Sequence, residues 1–175
     1  HLKNREDKLH ELAIKDNLTG RYNRHFFYEV IEREIARIER SNEVVSFIMI
    51  DLDGLKQIND NLGHLTGDKI LVECAELINK TARKSDIVFR FGGDEFLVLL
   101  ANADCEKTTV MIKRLLEKTQ KWNMENAEEY GCRLSFSIGC STCKNCHEIL
   151  KTLNEADKRM YQNKKYRKNK INVLL

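Results

Sequence analysis

The chain has 175 residues, 42% of them hydrophobic and 33% charged, which suits one domain with a single sizeable core. A net charge of only +3 argues against a dedicated nucleic-acid binder, and no apolar run approaches the ~20 residues needed to span a bilayer. The polar N-terminus shows no secretory leader, so the six cysteines read as reduced thiols and the domain as cytoplasmic. The first residue is His1 rather than Met and sits in a helical pattern, so the chain reads as part of a longer protein, with room upstream for a sensor or a membrane anchor.

Residues 1–14 place Leu2, Leu9, Leu12 and Ile14 at roughly helical spacing, a stripe too thin for a core helix and better suited to a helical linker or short coiled coil. Asp16-Asn17-Leu18-Thr19-Gly20 interrupts it with turn residues. A helix is predicted over 23–40, with Phe26, Phe27, Val30, Ile31, Ile35 and Ile38 on one face. Val44 to Ile50 is a continuous branched apolar run, as in a strand buried on both faces. Helices follow at about 54–62 and 67–82, then a strand from Ile87 to Phe91. Gly92-Gly93 signals a two-residue hairpin, and Phe96 to Leu100 returns as a strand. A helix over about 105–122 turns Val110, Ile112, Leu115, Leu116 and Trp122 inward, and Cys132 to Gly139 alternates as a strand. A helix over about 147–166 and an edge strand from Ile171 to Leu175 close the chain. The Lys164–Lys168 stretch, which carries much of the basic excess, reads as a solvated helix end. This order implies an α/β fold: a mixed central sheet of about five strands, with a ferredoxin-like β-α-β-β-α-β core wrapped by helices.

The strands ending at Asp51 and Phe91 are joined by a helical crossover, so within one sheet they run parallel and their C-terminal ends share an edge. Asp51 sits at that edge, and so does Gly92-Gly93-Asp94-Glu95. Three carboxylates, Asp51, Asp94 and Glu95, can therefore meet in space, with Asp53 nearby. Clustered carboxylates repel unless a cation or protons compensate, and all-oxygen ligands favour Mg²⁺, Mn²⁺ or Ca²⁺. Asp and Gly are also common in turns, and that alternative stands beside the metal reading.

Gly92-Gly93-Asp94-Glu95-Phe96 is the signature of GGDEF domains, and four further blocks follow that family's order. Asp16-Asn17-Leu18-Thr19-Gly20 with Asn23-Arg24 resembles the entry motif. Asp51-Leu52-Asp53-Gly54-Leu55-Lys56 resembles the metal and phosphate segment. Asn59 to Asp68 resembles the guanine segment, and Ala156-Asp157-Lys158-Arg159-Met160-Tyr161 the closing helix. The chain departs from the usual pattern at Arg21, His25, Leu55, Arg167 and Lys168.

The resemblance implies a fold related to nucleotidyl cyclase and polymerase palm domains. It implies a diguanylate cyclase that condenses two GTP into cyclic di-GMP and two pyrophosphates. Asp51, the Leu52 carbonyl, Asp94 and Glu95 would hold Mg²⁺, for which Mn²⁺ can substitute, and Asp94 or Glu95 would help deprotonate the attacking 3′-hydroxyl. Asn59 and Asp68 would bind guanine with His64 beside the nucleotide, and Lys56, Lys164 and Lys168 would hold phosphates. Activity would need a homodimer, governed by an upstream sensory domain that residues 1–15 join to a catalytic domain over 16–175. Arg83 and Asp86 match the family's inhibitory Arg-x-x-Asp motif, where cyclic di-GMP would bind. A silent regulatory GGDEF module and a base-mixing nucleotidyl cyclase are the alternatives. The intact signature favours an active enzyme. Asp68 favours guanine, whose N1–H and N2–H a carboxylate can accept together.

Cys140-x₂-Cys143-x₂-Cys146, with Cys132 upstream, has spacing compatible with Zn²⁺ or an iron–sulfur start. Cys74, Cys105 and Trp122 read as packing residues.

Overall fold

The computed structural model describes residues 10–41, 43–144 and 146–171, the side chains of Ser41, Cys146 and residues 167–171 excepted. Among the described residues, five strands form one sheet: β1 (Tyr22–Asn23), β2 (Val45–Leu52), β3 (Ile87–Arg90), β4 (Glu95–Ala101) and β5 (Phe136–Cys143). The helices are α1 (Arg24–Ser41), α2 (Leu55–Leu62), α3 (His64–Thr81), α4 (Cys105–Tyr130) and α5 (Ile149–Ile171). The sheet order is β1-β3-β4-β2-β5. β4 runs antiparallel to both β2 and β3, so β2 and β3 are parallel and their C-terminal ends share an edge, as expected. From β2 to β5 the order is that of the ferredoxin-like core.

Every residue of β2 is buried, because the strand lies between β4 and β5 with helices over both faces. The pleat sends alternate side chains to opposite layers. Ile48, Ile50 and Leu52 join Phe96 and Val98 against Ile70, Cys74 and Ile78 of α3 and Met111 and Leu115 of α4. Phe47 and Met49 join Phe89, Leu97 and Leu99 against Phe27 and Ile31 of α1 and Ala156 and Met160 of α5. By the same alternation, Asp51 and Glu95 face the layer of α1 and α5.

Several expected boundaries move. Tyr22 and Asn23 pair with β3 as a short parallel strand where the sequence places a helix start. α3 begins three residues early, at His64. α4 starts at Cys105, where the Asp104 side chain accepts the Lys107 N–H at 2.9 Å, but runs on to Tyr130. Its end is anchored by Tyr130 packing on Trp122, and both donate to Glu73. Val110 and Leu116, expected inward, are 45% and 40% exposed, and the buried stripe instead follows Met111, Leu115 and Trp122. β5 begins at Phe136, not Cys132. The Asn123 side chain occupies the Leu134 backbone, accepting its N–H and donating to its carbonyl, so no strand partner is available there. Ile171 closes α5 rather than opening an edge strand, and residues 172–175 lie outside the described residues. Of the expected linker helix, residues 10–14 are helical and 1–9 lie outside the described residues.

Among the described residues, the cysteines do not gather into a metal-holding group. Cys140 and Cys143 lie three apart on one strand, so they face opposite layers: Cys140 packs with the α3/α4 core, and Cys143 is buried in the α1/α5 core. Cys132 lies before the strand, and the Cys146 side chain is outside the described residues. Cys74 is buried in the core and Cys105 is exposed at the start of α4.

Candidate active site

β2 ends in Asp51-Leu52, and β4 starts at Glu95. Asp51 stands opposite Glu95 in the antiparallel register, and the Leu52 N–H donates to the Asp94 carbonyl at 2.9 Å. These pairings bring together two acidic segments that are far apart along the chain. The connection between β3 and β4 is residues 91–94 rather than a two-residue turn. The Glu95 carbonyl accepts both the Phe91 N–H (2.8 Å) and the Gly92 N–H (3.2 Å), and neither Gly92 nor Gly93 has positive φ. Gly92 matters for space: an added Cβ would meet the Glu95 side chain, 3.2 Å from its Cδ.

Asp51 is only 3% exposed. Its Oδ2 accepts from Lys164 Nζ at 2.7 Å, while its Oδ1 is buried with no hydrogen-bond partner among the described residues. Burial raises the Asp51 carboxyl above its ordinary range. The Lys164 bond opposes this, and the charges of Asp94 and Asp53 add to it. Glu95 is also raised, first by burial and then by Asp51, Asp94 and Asp157. Lys164 is raised because its bond to Asp51 and the surrounding acids outweigh the opposing effect of burial. Together these shifts describe a carboxylate cluster short of positive charge, with one lysine partly compensating it. Among the described residues, no three acidic, His or Cys side chains already form a metal cage. A donor set of this kind suits Mg²⁺, which typically takes one or two carboxylates and completes its shell with water and substrate phosphates.

Lys164 reaches Asp51 because α5 lies directly on β5. An added Cβ at Gly139 would fall inside the α5 backbone, 2.8 Å from the Arg159 carbonyl carbon. Asp53, just beyond β2, is gripped by Ser135 Oγ at 2.8 Å and Ser137 Oγ at 2.6 Å. The sequence reading did not single out these serines, and it placed Asp157, which lies near Glu95, only within the closing-helix block. Ser135 and Ser137 sit two apart, on either side of Phe136 where β5 begins, and that spacing was the available signal.

The α2–α3 hairpin beside β2 carries the other expected groups. Gly54 and Gly63, at φ +78 and +84, permit the turns into and out of α2. Lys56 is exposed in the first turn of α2, and His64 and Asp68 are exposed in the first turns of α3. Asn59 is half-buried and packs on Gly67, where an added Cβ would lie 2.9 Å from Asn59 Cγ and closer still to its Oδ1. The missing side chain at Gly67 thus makes room for Asn59 next to Asp68. The Lys168 side chain lies outside the described residues.

Two more segments bear on the edge. Arg90 donates to Asp16 Oδ1 at 3.0 Å and to the Gly93 carbonyl at 2.8 Å, tying the entry turn to the signature turn. Burial opposes ionisation of Asp16, but its bonds to Thr19 and Arg90 leave its carboxyl below the ordinary range. Arg83 and Asp86 lie before β3, at the end of that strand away from Asp94. Arg83 is exposed, and Asp86 accepts the Arg83 N–H at 2.7 Å, closing the local turn. Among the described residues no helix is long and apolar enough to cross a membrane.

The diguanylate cyclase GGDEF domain model matches residues 13–170. Diguanylate cyclase DosC of Escherichia coli K12 is 34% identical over 168 residues, covering 96% of this chain and 36% of the relative. Diguanylate cyclase DgcS of Shewanella oneidensis is 34% identical, covering 87% of this chain and 50% of the relative. The chain thus spans about a third to a half of these relatives. Among solved structures, diguanylate cyclase SiaD of Pseudomonas aeruginosa, in complex with its activator SiaC, superposes with a TM-score of 0.81 at 28% identity, covering 94% of this chain and 63% of that one. In sequence and in fold, the chain belongs to the family of diguanylate cyclase GGDEF domains.

Proposed function

We propose that this domain condenses two GTP into cyclic di-GMP with Mg²⁺, as one half of a two-fold pair. The observation that carries the reading is the acidic edge: Asp51, Asp94 and Glu95 converge there, and Asp51 presents a buried Oδ1 with no hydrogen-bond partner among the described residues. Asp51, the Leu52 carbonyl, Asp94 and Glu95 would hold the metal. When bound, Mg²⁺ supplies Lewis-acid stabilisation of the charge that develops on the phosphates.

The remaining steps belong to the protein. Asn59 and Asp68 hold the guanine edge, with His64 beside the nucleotide. Lys56, in the first turn of α2, meets the phosphates near a helix N-terminus. Lys164, with Lys168 beyond it, releases Asp51 and holds the outer phosphates. Asp94 or Glu95 accepts the proton of the attacking 3′-hydroxyl, and the raised carboxyl of Glu95 suits it to that task. Each domain holds one GTP, so the two nucleotides must face each other, each acting once as nucleophile and once as electrophile. A two-fold homodimer is the natural geometry. An upstream sensory region, joined through residues 1–15, sets that pairing. Cyclic di-GMP bound at Arg83 and Asp86 holds the domains in an unproductive orientation.

The experiment is incubation of the domain with GTP and Mg²⁺ across a range of protein concentrations, with products identified by mass. Cyclic di-GMP and pyrophosphate are expected, with the rate per domain rising with concentration. Glu95→Gln should retain the fold and lose turnover. GTP binding without turnover would instead indicate a silent regulatory module, and near-normal turnover in Glu95→Gln would remove the metal assignment.

A further inference from the structure

Away from the carboxylate edge, an open cavity of about 400 Å³ is lined by two thiols, Cys105 and Cys140. They are distant in sequence, and the fold brings both to this one cavity. Cys105 is the first residue of α4, directly after Asp104. Cys140 lies within β5, the edge strand, paired with Ile48 of β2. The pleat turns Cys140 toward the α3/α4 layer, on the side where α4 begins. β5 runs antiparallel to β2, and α4 follows the far end of β4, so the cavity opens at the end of the sheet opposite Asp51.

The two sulfurs differ in access. Cys105 is exposed and Cys140 is half-buried beside it. Burial raises the Cys140 thiol, and the nearby Cys105 is the next contributor, so the sulfurs lie within electrostatic reach of each other. Arg159 stands on the rim, donates to the Cys140 carbonyl at 2.8 Å and favours the Cys140 thiolate. Cys74 offers a contrast. It is fully buried in the core, and its thiol is pushed far up by burial, which makes it inert.

We propose that Cys105 and Cys140 form a two-thiol modification site that a hydroperoxide closes into an intramolecular disulfide. The exposed Cys105 thiolate attacks a peroxide oxygen. The O–O bond breaks, Cys105 becomes a sulfenic acid, and the leaving oxygen departs protonated as water or an alcohol. The Cys140 thiolate then attacks the sulfenic sulfur. The S–S bond forms, the S–O bond breaks, and hydroxide leaves as water. Overall the two thiols lose two electrons and two protons, and one hydroperoxide is reduced. The bond ties the start of α4 to the edge strand and leaves the carboxylate edge open.

The test is treatment of the chain with hydrogen peroxide, alkylation of remaining thiols and peptide mass mapping without reductant. The expected product is a peptide linked through Cys105 and Cys140, two hydrogens lighter than its parts and released by dithiothreitol. Cys105→Ser, a change at an exposed position, should abolish the link and leave Cys140 alkylated. As an independent probe, phenylarsine oxide should block alkylation of both thiols in the parent and leave Cys140 alkylatable in Cys105→Ser. Oxidation of Cys105 to sulfinic acid while Cys140 stays alkylatable overturns the proposal. So does arsenical protection that persists without Cys105.

Discussion

Gly139→Ala tests how Lys164 is held. The added Cβ would lie 2.8 Å from the Arg159 carbonyl carbon, and closer still to the Ala156 carbonyl oxygen and the Met160 nitrogen, where ordinary contact starts at 3.4 Å. These are backbone atoms of α5, so no rotamer change relieves the clash and the helix must withdraw from β5 by roughly 1 Å. Overpacking of this kind costs about 3 kcal/mol when the neighbour cannot move aside. At about 2–4 °C per kcal/mol for a domain of this size, the melting temperature should fall by roughly 6–12 °C. The same withdrawal draws Lys164 from Asp51, a pair set at 2.7 Å. Displacements near 1 Å can cost on the order of 10²-fold in rate. Thermal unfolding by circular dichroism and pyrophosphate release, both measured at a temperature where the variant is folded, separate the two effects. A melting temperature within about 2 °C of the parent, with unchanged turnover, would refute the close approach of α5 to β5 as the device that positions Lys164.

Gly67→Ala should displace the Asn59 amide, since the new Cβ would lie 2.9 Å from Asn59 Cγ; the fold should hold, because alanine favours a helix, while KM for GTP rises roughly tenfold. Unchanged KM would remove Asn59 from the guanine site. Arg83→Ala should weaken cyclic di-GMP binding and relieve product inhibition with initial turnover intact, read by calorimetry and progress curves; undiminished binding would leave only the turn that Asp86 already closes. For pH, Glu95 is raised by burial and by its acidic neighbours, so ionising it destabilises the metal-free fold. Stability should therefore rise as pH falls through the raised value toward the ordinary carboxylate range, and gain nothing further below that range. Asp16, lowered, works in the opposite direction as pH falls, so the comparison is with Glu95→Gln in EDTA. That variant should show a smaller rise, and an identical pH profile would contradict the shift.

Much of the fold was legible because it rests on periodicity. The unbroken apolar run of β2 marked a central strand, and its abrupt end at Asp51 marked the sheet edge. The crossover between β2 and β3 implied their parallel direction, and with it the meeting of Asp51 with Asp94 and Glu95. Those steps need only local pattern and chain connectivity. What stayed hidden depends on contacts between residues far apart in sequence. The start of β5 moved because Asn123 claims the Leu134 backbone. α4 ran to Tyr130 because Trp122 and Tyr130 share Glu73 from α3. The grip of Ser135 and Ser137 on Asp53 arises only once β5 lies beside β2. The cysteine spacing left a metal site open, and only the pleat showed that Cys140 and Cys143 face opposite layers. Local sequence determined β2 to β5, the helices that cover them and where the acidic ends lie, but not the short β1. Tertiary packing decided where elements stop, which side chain neutralises Asp51 and which thiols share a cavity, because each of these is set by a partner that no local window contains.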